Sequence, residues 1–291
     1  MKTPQSNLEE FCSTSLARDV PAELRIMADF LRAKHKGAEA ILAYGSCLRG
    51  VAVADTLMDF YVLTESLTDV STNFISRFAC SIVPPNVYYA ETKLGKQSLR
   101  AKYAVLPLSL FARWMKRDTG NPYFWARFSQ PSALLFARDG QARQNVVAAI
   151  ADALRTSFAN AKTLSADSDP LVIWAKGFDT TYNSEFRSEK ASRAAHIVSG
   201  SIDYYQEAAK LLASETPIHA NQSWRRLAGK CWSVLRLCKA AFTFQGGADY
   251  IVWKIERHSG EKIVLTEWQK RHPIFTGLLL LPAMLRKGAV R

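Results

Sequence analysis

Apolar and polar positions alternate along the chain with two different periods, and the change of period marks an α/β protein. Residues 21–35 (PAELRIMADFLRAKH) repeat apolar side chains at helical spacing, with Pro21 at a helix start. Residues 38–44 (AEAILAY) form a short apolar run that stops at Gly45-Ser46, and residues 57–64 (LMDFYVLT) read as a second strand. Residues 67–79 suit a helix. Asn86 to Thr92 and Ser98 to Leu106 read as two more strands, with Leu94-Gly95-Lys96 in the turn between them. A helix is expected at 107–116, a strand from Pro131 to Ala137, and a helix at 140–160.

Beyond about Ser165 the pattern becomes helix after helix, over 170–184, 188–213 and 221–242. The polar stretch ending at Pro170 predicts a boundary. The expected organisation is an α/β catalytic domain over 1–165, with a mixed sheet and flanking helices, followed by a mainly helical, basic domain over 166–291 whose C-terminal segment, Ile274–Arg291, is a candidate for docking on a membrane. No internal repeat or low-complexity tract interrupts it.

Composition narrows the class. Apolar residues make up 48% of the 291 and charged residues 22%, which is the balance of a folded chain rather than a disordered one. The longest uncharged apolar run near the end, Ile274 to Leu285, contains Gly277 and Pro282 and is too short to span a bilayer. The opening residues carry Glu9 and Glu10 and no apolar core, so they read as neither a secretory signal nor a transit peptide. Five cysteines without a CxxC pair indicate neither a disulfide framework nor a zinc site. The five histidines are scattered without ligand spacing. A cytoplasmic location is expected.

Charge changes the picture further. The formal net charge is +12, and residues 221–291 carry 13 Lys/Arg against 4 Asp/Glu. No acidic residue occurs between Asn221 and Ala248, where Trp224, Arg225, Arg226, Lys230, Trp232, Arg236 and Lys239 lie. A basic, indole-bearing segment fits an anionic partner: a phospholipid surface, a nucleic acid or a nucleotide. A solvated basic face is the plain alternative.

The chemistry-bearing pattern is Tyr44-Gly45-Ser46 at the end of one apolar strand, followed by Met58-Asp59-Phe60 on the next. Glycine lets the backbone approach a triphosphate, and the Ser46 hydroxyl and nearby amides can bind its oxygens. Asp59 on the adjacent strand can hold Mg²⁺ or another divalent ion against the same phosphates. Asp55 is a second candidate ligand from the connecting loop, and Glu91 a third from the following strand. This layout resembles the nucleotidyltransferase superfamily. A second carboxylate is usual two residues after the first, and here that position is Tyr61. A strand–turn–strand with an exposed aspartate, or a catalytically inactive member, fits the local motif as well.

Over roughly residues 40–210 the chain also resembles the mitochondrial phosphatidate cytidylyltransferases, the translocator assembly and maintenance family. Tyr44, Gly45, Ser46 and Asp59 match its turn and its strand with a single aspartate. Phe74-Ile75-Ser76, Asn86-Val87-Tyr88-Tyr89, Lys102-Tyr103, Arg127 with Pro131, and the segment Thr181-Tyr182-Asn183-Ser184-Glu185-Phe186-Arg187 follow in the same order. Cys47 stands where the family has glycine after the serine, Trp125-Ala126 precede Arg127 where it also has glycine, and the match fades after residue 221. The resemblance implies CTP and phosphatidate as substrates, CDP-diacylglycerol and pyrophosphate as products, and docking on the cytoplasmic face of an anionic membrane. It implies Asp59, Ser46 and Lys102 as catalytic residues, and Tyr44, Gly45, Arg127, Tyr182 and Arg187 as nucleotide contacts. No nucleic-acid partner is expected.

Overall fold

The computed structural model describes residues 4–49, 57–95, 97–119, 122–165, 167–183, 192–218, 228–236, 239 and 266. Two helices, α1 (Pro4–Leu16) and α2 (Ala22–Lys34), precede strand β1 (Ala38–Tyr44). A single 3₁₀ turn (Ser46–Arg49) follows it, then β2 (Met58–Thr64), a second 3₁₀ turn (Leu67–Asp69) and α3 (Phe74–Ile82). Next come β3 (Asn86–Leu94), β4 (Gln97–Pro107), α4 (Leu108–Met115), α5 (Trp125–Phe128), β5 (Ala133–Ala137) and α6 (Gly140–Ala161). The remaining named helices are α7 (Pro170–Asn183), α8 (Ser192–Ser199) and α9 (Ile202–Leu211), and residues 228–236 are also helical.

The strands form one five-stranded sheet in the order β3-β4-β2-β1-β5. β1 runs antiparallel to β2 and β5, β3 antiparallel to β4, and β2 parallel to β4. The parallel pair explains the near-continuous apolar run of β2, because a strand covered on both faces has no solvent side to mark with polar residues. Met58, Phe60, Tyr61, Val62, Leu63 and Thr64 are all buried, and Asp59 at its start is only half so.

Helix placement follows the apolar stripes. In α2, Leu24, Met27, Ala28 and Leu31 are buried at the spacing of one helix face. α6 begins where the Asp139 side chain accepts a hydrogen bond from the Ala142 N–H at 2.8 Å. α3 starts later than its sequence suggests because Asn73 caps it, accepting from the Ser76 N–H at 3.1 Å. The expected helix over 188–213 is divided at Gly200-Ser201 into α8 and α9.

The core is continuous. One cluster of buried apolar residues runs from Leu8 to Leu212, joining α1, the sheet, α6, α7 and α9. Phe158 on α6 meets Trp174 on α7 with ring centroids 4.9 Å apart, and Trp174 donates to the Tyr205 carbonyl at 3.1 Å. Packing therefore crosses the expected boundary at residue 165 without a gap. No helix among the described residues is long and apolar enough to cross a membrane.

Candidate functional site

Strand register assembles the site. Asp59 is the Cα partner of Tyr44 on β1 and of Lys102 on β4, and Lys102 is the partner of Tyr89 on β3. Directly opposed residues share a face of a sheet. Tyr44, Asp59, Lys102 and Tyr89 thus form one row across four strands, with Asp59 at its centre.

β1 is followed by Gly45 at φ +92°, a conformation that residues with a Cβ rarely adopt. The Asp59 carboxylate lies directly over it: a Cβ on residue 45 would come 3.1 Å from Asp59 Oδ2. The chain then winds into the 3₁₀ turn headed by Ser46, closed by the Leu48 N–H donating to the Gly45 carbonyl at 3.3 Å. The opening amides of such a turn, the Ser46 hydroxyl and the Asp59 carboxylate are thereby brought to one end of the β1–β2 pair.

Arg127, on the short helix α5, is carried to the same place. Its Nη1 donates to the Tyr44 hydroxyl at 3.2 Å, and its guanidinium carbon stands 5.2 Å from the Tyr44 ring centroid and 4.7 Å from that of Tyr123. Its Nε is buried without a hydrogen-bond partner among the described residues. Burial pushes the Tyr44 phenol well above its ordinary pKa. The Asp59 charge pushes it the same way, and Arg127 opposes both. Tyr44 is therefore a neutral phenol held between a carboxylate and a guanidinium.

Tyr61 explains the missing second carboxylate. It lies two residues after Asp59, on the same face, and is fully buried. Its ring packs 4.8 Å from Phe128, 6.1 Å from Phe111 and 6.2 Å from Phe124, and its hydroxyl lies 3.5 Å from that of Tyr123. An acid in this aromatic nest would pay desolvation with no water to offset it.

Other sequence candidates are placed as follows. Tyr182, near the end of α7, accepts a 2.6 Å hydrogen bond from Gln130 Nε2, three residues beyond Arg127, and so reaches the flank of α5. Glu91 lies on the edge strand β3, two strands from Asp59, and pairs with Arg100 at 3.1 Å. It is not brought to the Asp59 carboxylate. Asp55 and Arg187 fall outside the described residues. Among the described residues, no group of three His, Cys, Asp or Glu side chains could hold a metal ion. His35 sits with Tyr103 on the opposite face of the sheet, its Nε2 3.3 Å from the Tyr103 hydroxyl.

No protein-family model and no curated protein matches the chain.

One site residue, Tyr123, escaped the sequence reading, and another, Arg236, was read only as part of a basic segment. Tyr123 is faced by Arg127 on one side and by Arg236, whose guanidinium carbon lies 3.9 Å from its ring centroid. Arg236 belongs to the helical run over 228–236, which also sets Trp232 edge-on against Trp114 at 5.3 Å. Lys239 beyond it donates to the Val83 and Pro85 carbonyls at 2.6 and 2.8 Å. The richness of 221–242 in cations was visible, but its partners lie more than a hundred residues away, beyond the reach of periodicity.

Proposed function

We propose that the chain is a metal-dependent nucleotidyltransferase that joins CTP to phosphatidate, releasing pyrophosphate and forming CDP-diacylglycerol. The observation that carries this reading is the Gly45–Asp59 contact: a left-handed glycine and a 3₁₀ turn pressed against one carboxylate, with Arg127 alongside. The donor set suits a magnesium-type ion, which is commonly held by one or two carboxylates plus substrate phosphates. Asp59 would hold a divalent ion, which would supply positive charge to offset that of the departing pyrophosphate.

The residues present account for the rest. The Ser46 hydroxyl and turn amides orient the triphosphate. Lys102, opposite Asp59, supplies a point charge and Arg127 a planar donor fork. A phosphatidate phosphate is already ionised at neutral pH, so attack on the α-phosphorus needs no strong base. That is compatible with a site row made of Tyr44, Asp59, Lys102 and Tyr89 and with His35 on the far face.

The decisive experiment measures pyrophosphate release from each nucleoside triphosphate, with and without phosphatidate, RNA and small hydroxyl acceptors. Release from CTP that requires phosphatidate supports the reading; release with another acceptor moves the reaction to that acceptor. The single carboxylate among the described site residues favours one second reading, an inactive nucleotide-binding protein. That reading is met by metal-dependent CTP binding without pyrophosphate release from any combination.

A further inference from the structure

Helix α3 is amphipathic in the wrong sense for a helix on a folded domain. Phe74, Ile75, Phe78 and Ile82 are 71%, 73%, 58% and 50% exposed. At about 100° per residue these four fall within one arc of about 100°. The opposite side carries the small groups that meet the protein. The Cys80 thiol lies 3.8 Å from the Val105 carbonyl, and Ser76 receives both a backbone and a hydroxyl contact from Asn86 Nδ2, at 3.3 and 2.9 Å. Large side chains face outward and small ones inward.

We propose that this face docks on an anionic lipid bilayer, with the axis of α3 in the interfacial plane. Charge selects the occupant. α3 contains no acidic residue and carries Arg77 beside the apolar arc. The groove beside it, which Ser81 and Leu110 line, holds Arg113 together with Glu65, whose charge Arg138 offsets at 2.8 Å. Exposed Val234 and Leu235 lie just before Lys239, which is bonded to the carbonyls that follow α3. A face joining Phe and Ile side chains to cations is the composition of an interfacial helix, whose apolar side enters the boundary between headgroups and acyl chains. The net charge of +12 favours an anionic leaflet and opposes a second copy of the same chain on this face.

α3 meets the sheet at Asn86 and Val105, a directly opposed pair on the Tyr103 face, so a lipid surface on α3 would lie across the sheet from the Asp59 row. The docking does not depend on the proposed reaction, since it rests on α3 alone.

The test is co-sedimentation with vesicles of phosphatidylcholine alone and with about one third phosphatidate or phosphatidylglycerol, using wild type, Phe78→Glu, Phe74→Ser/Phe78→Ser and the control Phe78→Leu. The expected result is binding only to anionic vesicles, lost at least tenfold in Phe78→Glu and in the double variant, and kept in Phe78→Leu, with melting temperatures unchanged. Unchanged binding of Phe78→Glu overturns the proposal and returns the anchor to the basic tail. Loss of self-association in Phe78→Glu, with vesicle binding intact, overturns it in favour of a second copy. Should a variant fail to fold, Phe78→Trp is compared with wild type: a blue shift of the difference emission on anionic vesicles supports insertion, and no shift overturns it. Vesicle binding by a protein that releases no pyrophosphate leaves the docking standing and removes the reaction. Turnover of a short-chain soluble phosphatidate by Phe78→Glu at the wild-type rate, with bilayer binding lost, supports both.

Discussion

The Asp59 carboxylate stands beside Gly45 where a side chain would point: the glycine has a φ of +92°, and a Cβ there would stand 3.1 Å from Asp59 Oδ2. The turn and the carboxylate are therefore one unit. Gly45→Ala should cost about 1–3 kcal/mol from the left-handed backbone alone, plus displacement of the carboxylate. Placed in an Asp59→Ala background, the same substitution should cost less, because the clash is gone. A double-mutant cycle of melting free energies reads the coupling, and strict additivity would separate the two residues.

Asp59→Asn keeps shape and removes charge. Turnover should fall at least a hundredfold while the melting curve stays in place, since loss of a ligand to a catalytic ion removes several kcal/mol of charge stabilisation. Turnover within tenfold of wild type would remove Asp59 from the chemistry.

Arg127 stands between two tyrosine rings with its Nε buried, so charge alone should not replace it. Arg127→Lys is expected to weaken CTP binding by about 1.5–3 kcal/mol, the worth of a charged hydrogen bond. Calorimetric titration of CTP checks this, and a lysine variant binding as wild type does would make Arg127 a packing residue only.

His35 gives the fold an acid limit. Burial, and then the adjacent Lys34 charge, lower its pKa from 6.5 to about 4. The unfolded chain takes up this proton at a higher pH than the folded one, so the unfolded state binds more protons between the two values. Stability from this group is complete above pH 6.5 and falls as pH drops towards 4. Urea melts from pH 7.5 to 4.5 should show that decline, and His35→Gln should flatten its contribution.

The sheet was readable because β1, β2, β3, β4 and β5 are short runs stopped by turn residues, and each lies within a residue or two of its expected span. α1 was not read. Its buried positions Leu8, Cys12 and Leu16 make a stripe one residue wide among Ser, Thr, Gln and Asn, too narrow to signal a helix. The nearness of Gly45 to Asp59 was legible from a glycine after one strand and an acid on the next. Its aromatic surroundings were not, since Tyr61, Tyr123, Phe124 and Phe128 meet only after α5 folds back on the sheet. The outward-facing stripe of α3 was hidden for another reason: periodicity shows that a helix has an apolar face, never which way it points.

The strap made by the helical run over 228–236 and by Lys239 has a consequence for synthesis. Every strand among the described residues has been translated by residue 137, and the described core reaches only to Leu212. Trp114, Tyr123 and the carbonyls of Val83 and Pro85 then wait for Trp232, Arg236 and Lys239, which are translated last among the residues that touch them. At roughly 5–20 residues per second the delay is several seconds. During that interval the Asp59 row is formed but its aromatic wall stands open, so a nascent chain arrested before residue 228 carries the turn and the carboxylate without the finished pocket.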